Sequence, residues 1–144
     1  MPLHMIKLCV GVDTIDDLLE WVGERREAAT AAKRPFEQIH TTRMFPKRNV
    51  DILDGGSLYW VIKGHVQVRQ RILDLRPVTD ADGIARCQIV LEPQFTATDW
   101  APRRPFQGWR YLEHDDRPAD IDGDRLGSGL PPELMRELAG LGLL

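Results

Sequence analysis

LDGGSLYWVIKGHVQVRQRILDLRP, residues Leu53 to Pro77, is the stretch on which the fold turns. Apolar and polar positions alternate on both sides of Gly64-His65, the pattern of two β-strands joined in a hairpin. A two-residue type II′ turn at Gly64-His65 sets Lys63 opposite Val66 and Trp60 opposite Arg69. A three-residue loop instead sets Lys63 opposite Gln67, so that Leu58, Trp60 and Ile62 share a face with Val68, Gln70 and Ile72. Tyr59, Val61 and Lys63 then face outward with Gln67, Arg69 and Arg71. The second arrangement is preferred, because burying two arginines costs more than imperfect turn chemistry. Either register leaves Arg69 and Arg71 beside an aromatic ring.

Beyond Ile72 the apolar parity passes to Leu73 and Leu75, which predicts a bulge or bend. Asp80-Ala81-Asp82-Gly83 is a turn signal, and Cys87, Ile89 and Leu91 alternate as a third strand. Pro93 to Pro105 reads as irregular, while Phe106 to Leu112 reads as an edge strand or a cover over a barrel mouth. Upstream, Leu3 to Val10 is strand-like and Thr14 with Asp17 approximates a capping box. Ile15, Leu18, Leu19 and Val22 make one helix face, with the helix running to about Ala32 before Pro35. His40 to Met44 is a short β-branched run, and Pro46 opens a brief helix through Leu53. The expected fold is α+β: a small curved antiparallel sheet or partly closed β-barrel, with an N-terminal helix and a short C-terminal helix. Residues 1–120 form a single domain in this reading. Residues 121–144 form an acidic linker and a helix, Pro131 to Leu144, that docks on the domain or on a partner; a homodimer through that helix is one alternative.

The 144 residues are 42% hydrophobic and 28% charged, ordinary globular values that exclude global disorder. Cys9 and Cys87 sit in apolar runs and read as buried thiols. Met1 to Val10 lacks the small-residue cleavage site of a signal peptide, and no apolar run spans a bilayer, so the cytoplasm is the expected compartment. The net charge of −3 conceals an uneven distribution: nine basic residues face four acids between Lys33 and Arg76, whereas six acids face two arginines between Glu113 and Arg125. A basic middle and an acidic tail serve either a polyanion-binding face or internal pairing.

No metal, cofactor or catalytic constellation is expected. His4, His40, His65 and His114 are scattered, and neither cysteine has zinc-site spacing. Asp120, Asp122 and Asp124 imitate the start of a calcium loop, but Arg125 replaces the required glycine. Serines lack the nucleophile-elbow setting. The positive signal is a basic-aromatic surface of Arg43, Lys47, Arg48, Lys63, Arg69 and Arg71 with Tyr59 or Trp60 for stacking and Trp109 and Arg110 joining later. Aromatic faces stack bases and cations meet phosphates, so RNA or a nucleotide-like anion is the expected partner, with no membrane role. Two rivals stand beside it. One is a small hydrolase acting on a nucleoside-like substrate, which needs a closed pocket with His40 or His65 near a carboxylate such as Asp74. The other is a self-associating protein without a ligand.

TRMFPKR (Thr42 to Arg48), LDGGSLYWVIKG (Leu53 to Gly64), RQRILDLRPV (Arg69 to Val78) and RRPFQGWRYL (Arg103 to Leu112) resemble the signature segments of a bacterial family of unknown function, of the DUF1489 type. The likeness runs to about Asp120 and implies no activity or catalytic residues. More distantly, the order of helix, Thr-Arg turn, Gly-Gly strand and Arg-rich strand is similar to PUA-like and ASCH domains. That similarity implies a PUA-like barrel that binds RNA or modified bases, and some ASCH members are amidohydrolases. The Gly-x-Lys-x-x-Glu-x-Arg motif of ASCH proteins is not present around Arg43.

Overall fold

One long strand organises the molecule. The computed structural model describes residues 2–9, 11 and 14–121. In chain order they form β1 (His4–Leu8), α1 (Ile15–Ala31), β2 (Gln38–Thr42), α2 (Asn49–Leu53), β3 (Ser57–Ile62), β4 (His65–Thr79), β5 (Ala85–Leu91), β6 (Thr96–Pro102), β7 (Trp109–Leu112) and a short 3-10 helix, His114–Asp116. The fifteen residues of β4 change partners along their length. Their first half pairs with β3 and β6, and their second half with β5. The strands make one open sheet in the order β2-β5-β4-β3-β1-β7, with β6 also on β4.

The α+β class holds, with two corrections. The sheet is mixed, because β1 enters its middle parallel to β3 and antiparallel to β7. The segment expected to be irregular contains β6, whose buried Ala97 and Thr98 are too small and polar to register as a hydrophobic run. The C-terminal helix and the acidic stretch beyond Ile121 lie outside the described residues.

The hairpin turns at Lys63-Gly64, one residue earlier than expected, with Ile62 opposite His65. Both turn residues have positive φ, +50° at Lys63 and +82° at Gly64, the signature of a type I′ turn. A bulge between Trp60 and Val61 then sets Trp60 opposite Val68 and Leu58 opposite Gln70. Both sequence registers are therefore corrected; Leu58, Trp60 and Ile62 do share a face with Val68 and Ile72, but Tyr59, Val61 and Gln67, expected to face outward, are buried. Gln67 is the extra residue of the bulge; its Nε2 donates to the Ile62 carbonyl at 2.8 Å and its buried Oε1 has no partner among the described residues. The second bulge, between Ile72 and Asp74, falls where the parity change predicted it. It leaves Leu73 half exposed and Leu75 buried. Lysine is poorly suited to left-handed backbone, so Lys63→Asn should raise stability by about 0.5 kcal/mol in a thermal melt. A lower midpoint would refute the turn assignment.

Every residue of β3 is buried. Leu58, Trp60 and Ile62 join Met5, Val68, Ile72 and Ile89 beneath Ile15 and Leu18 of α1, while Tyr59 and Val61 pack with Ile6, Val66 and Leu112 on the opposite face. Thr14 caps α1 by accepting the Asp17 N–H at 3.2 Å, and Asp16 and Asp17 sit in its first turn, where the helix dipole favours negative charge.

Candidate functional site

Alternation along β1 puts Lys7 on the same inward face as Met5, which packs beneath α1. Lys7 stands between Trp60 of β3 and Trp109 of β7 in the sheet register. An inward β1 lysine is a costly residue to place beside a core, and burial lowers its pKa. The inward face of β2 is polar as well. Gln38, His40 and Thr42 stand opposite Leu91, Ile89 and Cys87 of β5, which belong to the core.

Lys7 and His40 from these two faces line a partly open cavity of about 600 Å³ together with one side of α1. Lys7, Leu8 and Cys9 form one wall, Asp17, Trp21 and Arg25 of α1 the lid side, and Ile39, His40, Thr41 and Trp60 the floor. Trp60 is held by a buried amide network. Its Nε1 donates to Gln70 Oε1 at 2.8 Å, and Gln70 Nε2 donates to Gln38 Oε1 at 2.8 Å and to the Glu92 carbonyl at 3.0 Å. Gln38 Nε2 donates back to Gln70 Oε1 at 3.2 Å. The His40 ring meets that fixed indole edge-on, centroids 5.1 Å apart.

Two cations, Lys7 and Arg25, and one acid, Asp17, line the cavity. Burial, then the Lys7 and Arg25 charges, push the His40 pKa down to about 4, so its imidazole is neutral at pH 7. Its Nε2 is buried without a hydrogen-bond partner among the described residues. Arg25 lies 3.7 Å over the Trp21 ring. Neither Lys7 nor Arg25 forms an ion pair among the described residues. Burial raises the Cys9 thiol to about 11, which makes it an inert wall rather than a nucleophile.

The residues expected to bind a ligand fall in several places. Tyr59 and Trp60 are buried, at 1% and 3% exposure, so neither ring offers a surface stacking platform. Arg69 is clasped by Asp120, with Nε and Nη2 each donating to a carboxylate oxygen at 2.8 Å, and its Nη1 donates to Ser57 Oγ at 2.9 Å. Arg48 pairs with Asp51 and Glu113, each at 3.3 Å. Arg69 and Arg71 share a polar cleft with Ser57 and Glu92. Arg43, Trp109 and Arg110 meet around another cleft beside Met44. Lys63 occupies the hairpin turn, and Lys47 is exposed in the loop before α2. Asp74 pairs with Arg76 at 3.2 Å and does not line the cavity that contains His40.

Among the described residues no helix is long and apolar enough to cross a membrane, and no group of three or more His, Cys, Asp or Glu side chains is arranged to hold a metal ion. Sequence reasoning missed Lys7 and Arg25. The available signal was a lysine on the inward parity of an apolar strand. No curated protein and no solved structure matches the chain. Residues 5–144 match the profile of proteins of unknown function designated DUF1489, and the chain belongs to that family.

Proposed function

We propose that the protein binds a small nucleotide-like anion, with the flat group of the ligand beside Trp21 and its anionic group at Lys7 and Arg25. One observation carries this reading: Lys7 and Arg25, which form no ion pair among the described residues, share a cavity with one acid, Asp17, and with the buried Nε2 of a neutral histidine that has no hydrogen-bond partner among the described residues. Leaving a buried polar atom unpaired costs roughly 1–3 kcal/mol, which a ligand hydrogen bond would recover. Nucleotides carry both the flat face and the charge that such walls complement. The distant likeness to PUA-like domains, whose members bind modified bases, supports the same ligand class. The setting in this reading is the bacterial cytoplasm, where nucleotides are abundant.

Titration with adenosine, guanosine, cytidine and uridine 5′-monophosphates, read by intrinsic tryptophan fluorescence, tests it. At least one should quench saturably, and Lys7→Ala or Arg25→Ala should weaken that binding by about tenfold or more, the worth of one charge-assisted contact. No saturable binding of any of the four at millimolar concentration and low salt, with the protein folded, would refute the proposal.

A further inference from the structure

The cavity does not end in isolation. Ile39, His40 and Thr41 line it, and the next residues of the same strand and loop, Thr42, Arg43 and Met44, line a second cleft of about 380 Å³. Across the sheet the two are also neighbours, since Lys7 of the cavity stands opposite Trp109 of the cleft in the β1–β7 ladder. At the strand rise of about 3.3 Å per residue, one site follows the other within roughly 10 Å along β2.

The cleft has its own charge. Among the described residues its lining holds two arginines and no acid. Arg43 is exposed and makes no ion pair among the described residues. Arg110 is exposed and oriented: Nη1 donates to the carbonyls of Gln107 at 2.9 Å and Trp109 at 3.2 Å, and its guanidinium lies 5.4 Å from the Phe106 ring centre. Trp109 Nε1 donates to the Met44 carbonyl at 2.8 Å, which rivets the loop carrying Arg43 to the strand carrying Arg110. Two exposed guanidiniums carried on one frame, with no acid in the cleft lining among the described residues, suit a phosphodiester.

We infer that the Arg43–Arg110 cleft is a phosphate subsite adjoining the cavity, so that the ligand is a single-stranded RNA and the cavity takes one unstacked nucleotide of it. This rests on the nucleotide reading of the cavity. The cavity supplies base and phosphate selection, and the cleft supplies the salt-sensitive hold on the next link of the chain.

The experiment compares a nucleoside monophosphate that binds the cavity with the tetranucleotide of the same base, both by calorimetry at low salt. The tetranucleotide should bind at least tenfold tighter. Its log K should fall more steeply with log salt, by about 0.7 for each further phosphate neutralised. Arg43→Ala and Arg110→Ala should each weaken the tetranucleotide threefold or more and leave the monophosphate unchanged. Equal affinity for the two ligands, with the monophosphate still bound, overturns the strand inference alone. Arginine variants that weaken both ligands equally overturn it too, because the arginines then act through the fold. If neither ligand binds, the cavity reading falls with it.

Discussion

Gly56→Ala should cost the protein roughly 3 kcal/mol or more in a urea titration, a large share of a small domain's stability. A Cβ at this position would lie well inside contact distance of the Leu3 and Ile52 backbone carbonyl oxygens, and neither is the far end of a flexible side chain. Four elements converge there. The Gly56 N–H closes α2 on the Ile52 carbonyl at 2.8 Å, and its own carbonyl accepts the Ile72 N–H at 3.0 Å to begin the β3–β4 pairing. Leu3 N–H donates to the Asp51 carbonyl at 3.2 Å, tying the start of β1 to the same corner. Relieving the clash therefore means separating α2 from β1 or opening the ladder. The neighbouring Gly55→Ala is the control. That position has φ +94° but only Pro2 Cβ near an added methyl, at 3.9 Å, so strain costs it about 1–2 kcal/mol. Equal losses at the two positions, or a loss under 1 kcal/mol at Gly56, would show that the corner yields.

The second glycine of the Gly-Gly pair is a packing requirement that nothing in the local sequence marks. Such differences follow a pattern. Elements carried by periodicity are legible: α1 from its i, i+3, i+4 face, β5 from Cys87, Ile89 and Leu91, the bulge at Leu73 from a parity slip. Features decided by partners elsewhere in the chain are not. Nothing local in HMIKL says that it enters mid-sheet beside β3. Lys63 at positive φ runs against its own propensity, so the turn is misread by one residue, and Gln67 absorbs the slip inside the strand.

The candidate site obeys the same rule. Density of arginine marks Arg69 and Arg48 as ligand contacts, but Asp120 and Glu113, which pair with them, lie 51 and 65 residues away and only the fold brings them together, although Arg48 also has Asp51 three residues on. Lys7, Arg25 and His40 come from three elements, each with an unremarkable local pattern. What distinguishes Lys7 and His40 is a polar side chain on the inward parity of a strand, which costs free energy unless a partner or a ligand meets it, whereas Arg25 is an exposed residue of α1 that only the fold brings to them.

Acid should unfold this protein through two histidines before its carboxylates titrate. His4 is almost fully buried. Its Nδ1 accepts the Ser57 N–H at 3.0 Å, so the ring proton sits on Nε2 and is donated to His114 Nδ1 at 2.9 Å. Burial, followed by the nearby His114, Arg117 and Arg69, pushes the His4 pKa down to about 4, and His40 lies at about 4 for the reasons given above. In the unfolded chain both titrate near 6.5. Between pH 6.5 and 4 the unfolded state thus binds more protons, so stability falls as pH falls through that window and levels off, for these two groups, below it. Each histidine should withdraw roughly 2–3 kcal/mol between pH 7 and pH 4. The acids held low by ion pairs, Glu37 and Asp80, lose their contribution only as pH falls through their still lower pKa values, so they do not explain a loss that begins near 6.5. Urea titrations at pH 7, 6, 5 and 4.5 measure the slope. His40→Gln, which cannot titrate, should remove about half of it while His4 continues to supply the rest. Stability that is flat from pH 7 to 4.5 would mean that both rings take up protons in place, and that neither the Ser57 hydrogen bond nor burial beside Lys7 and Arg25 holds its histidine neutral.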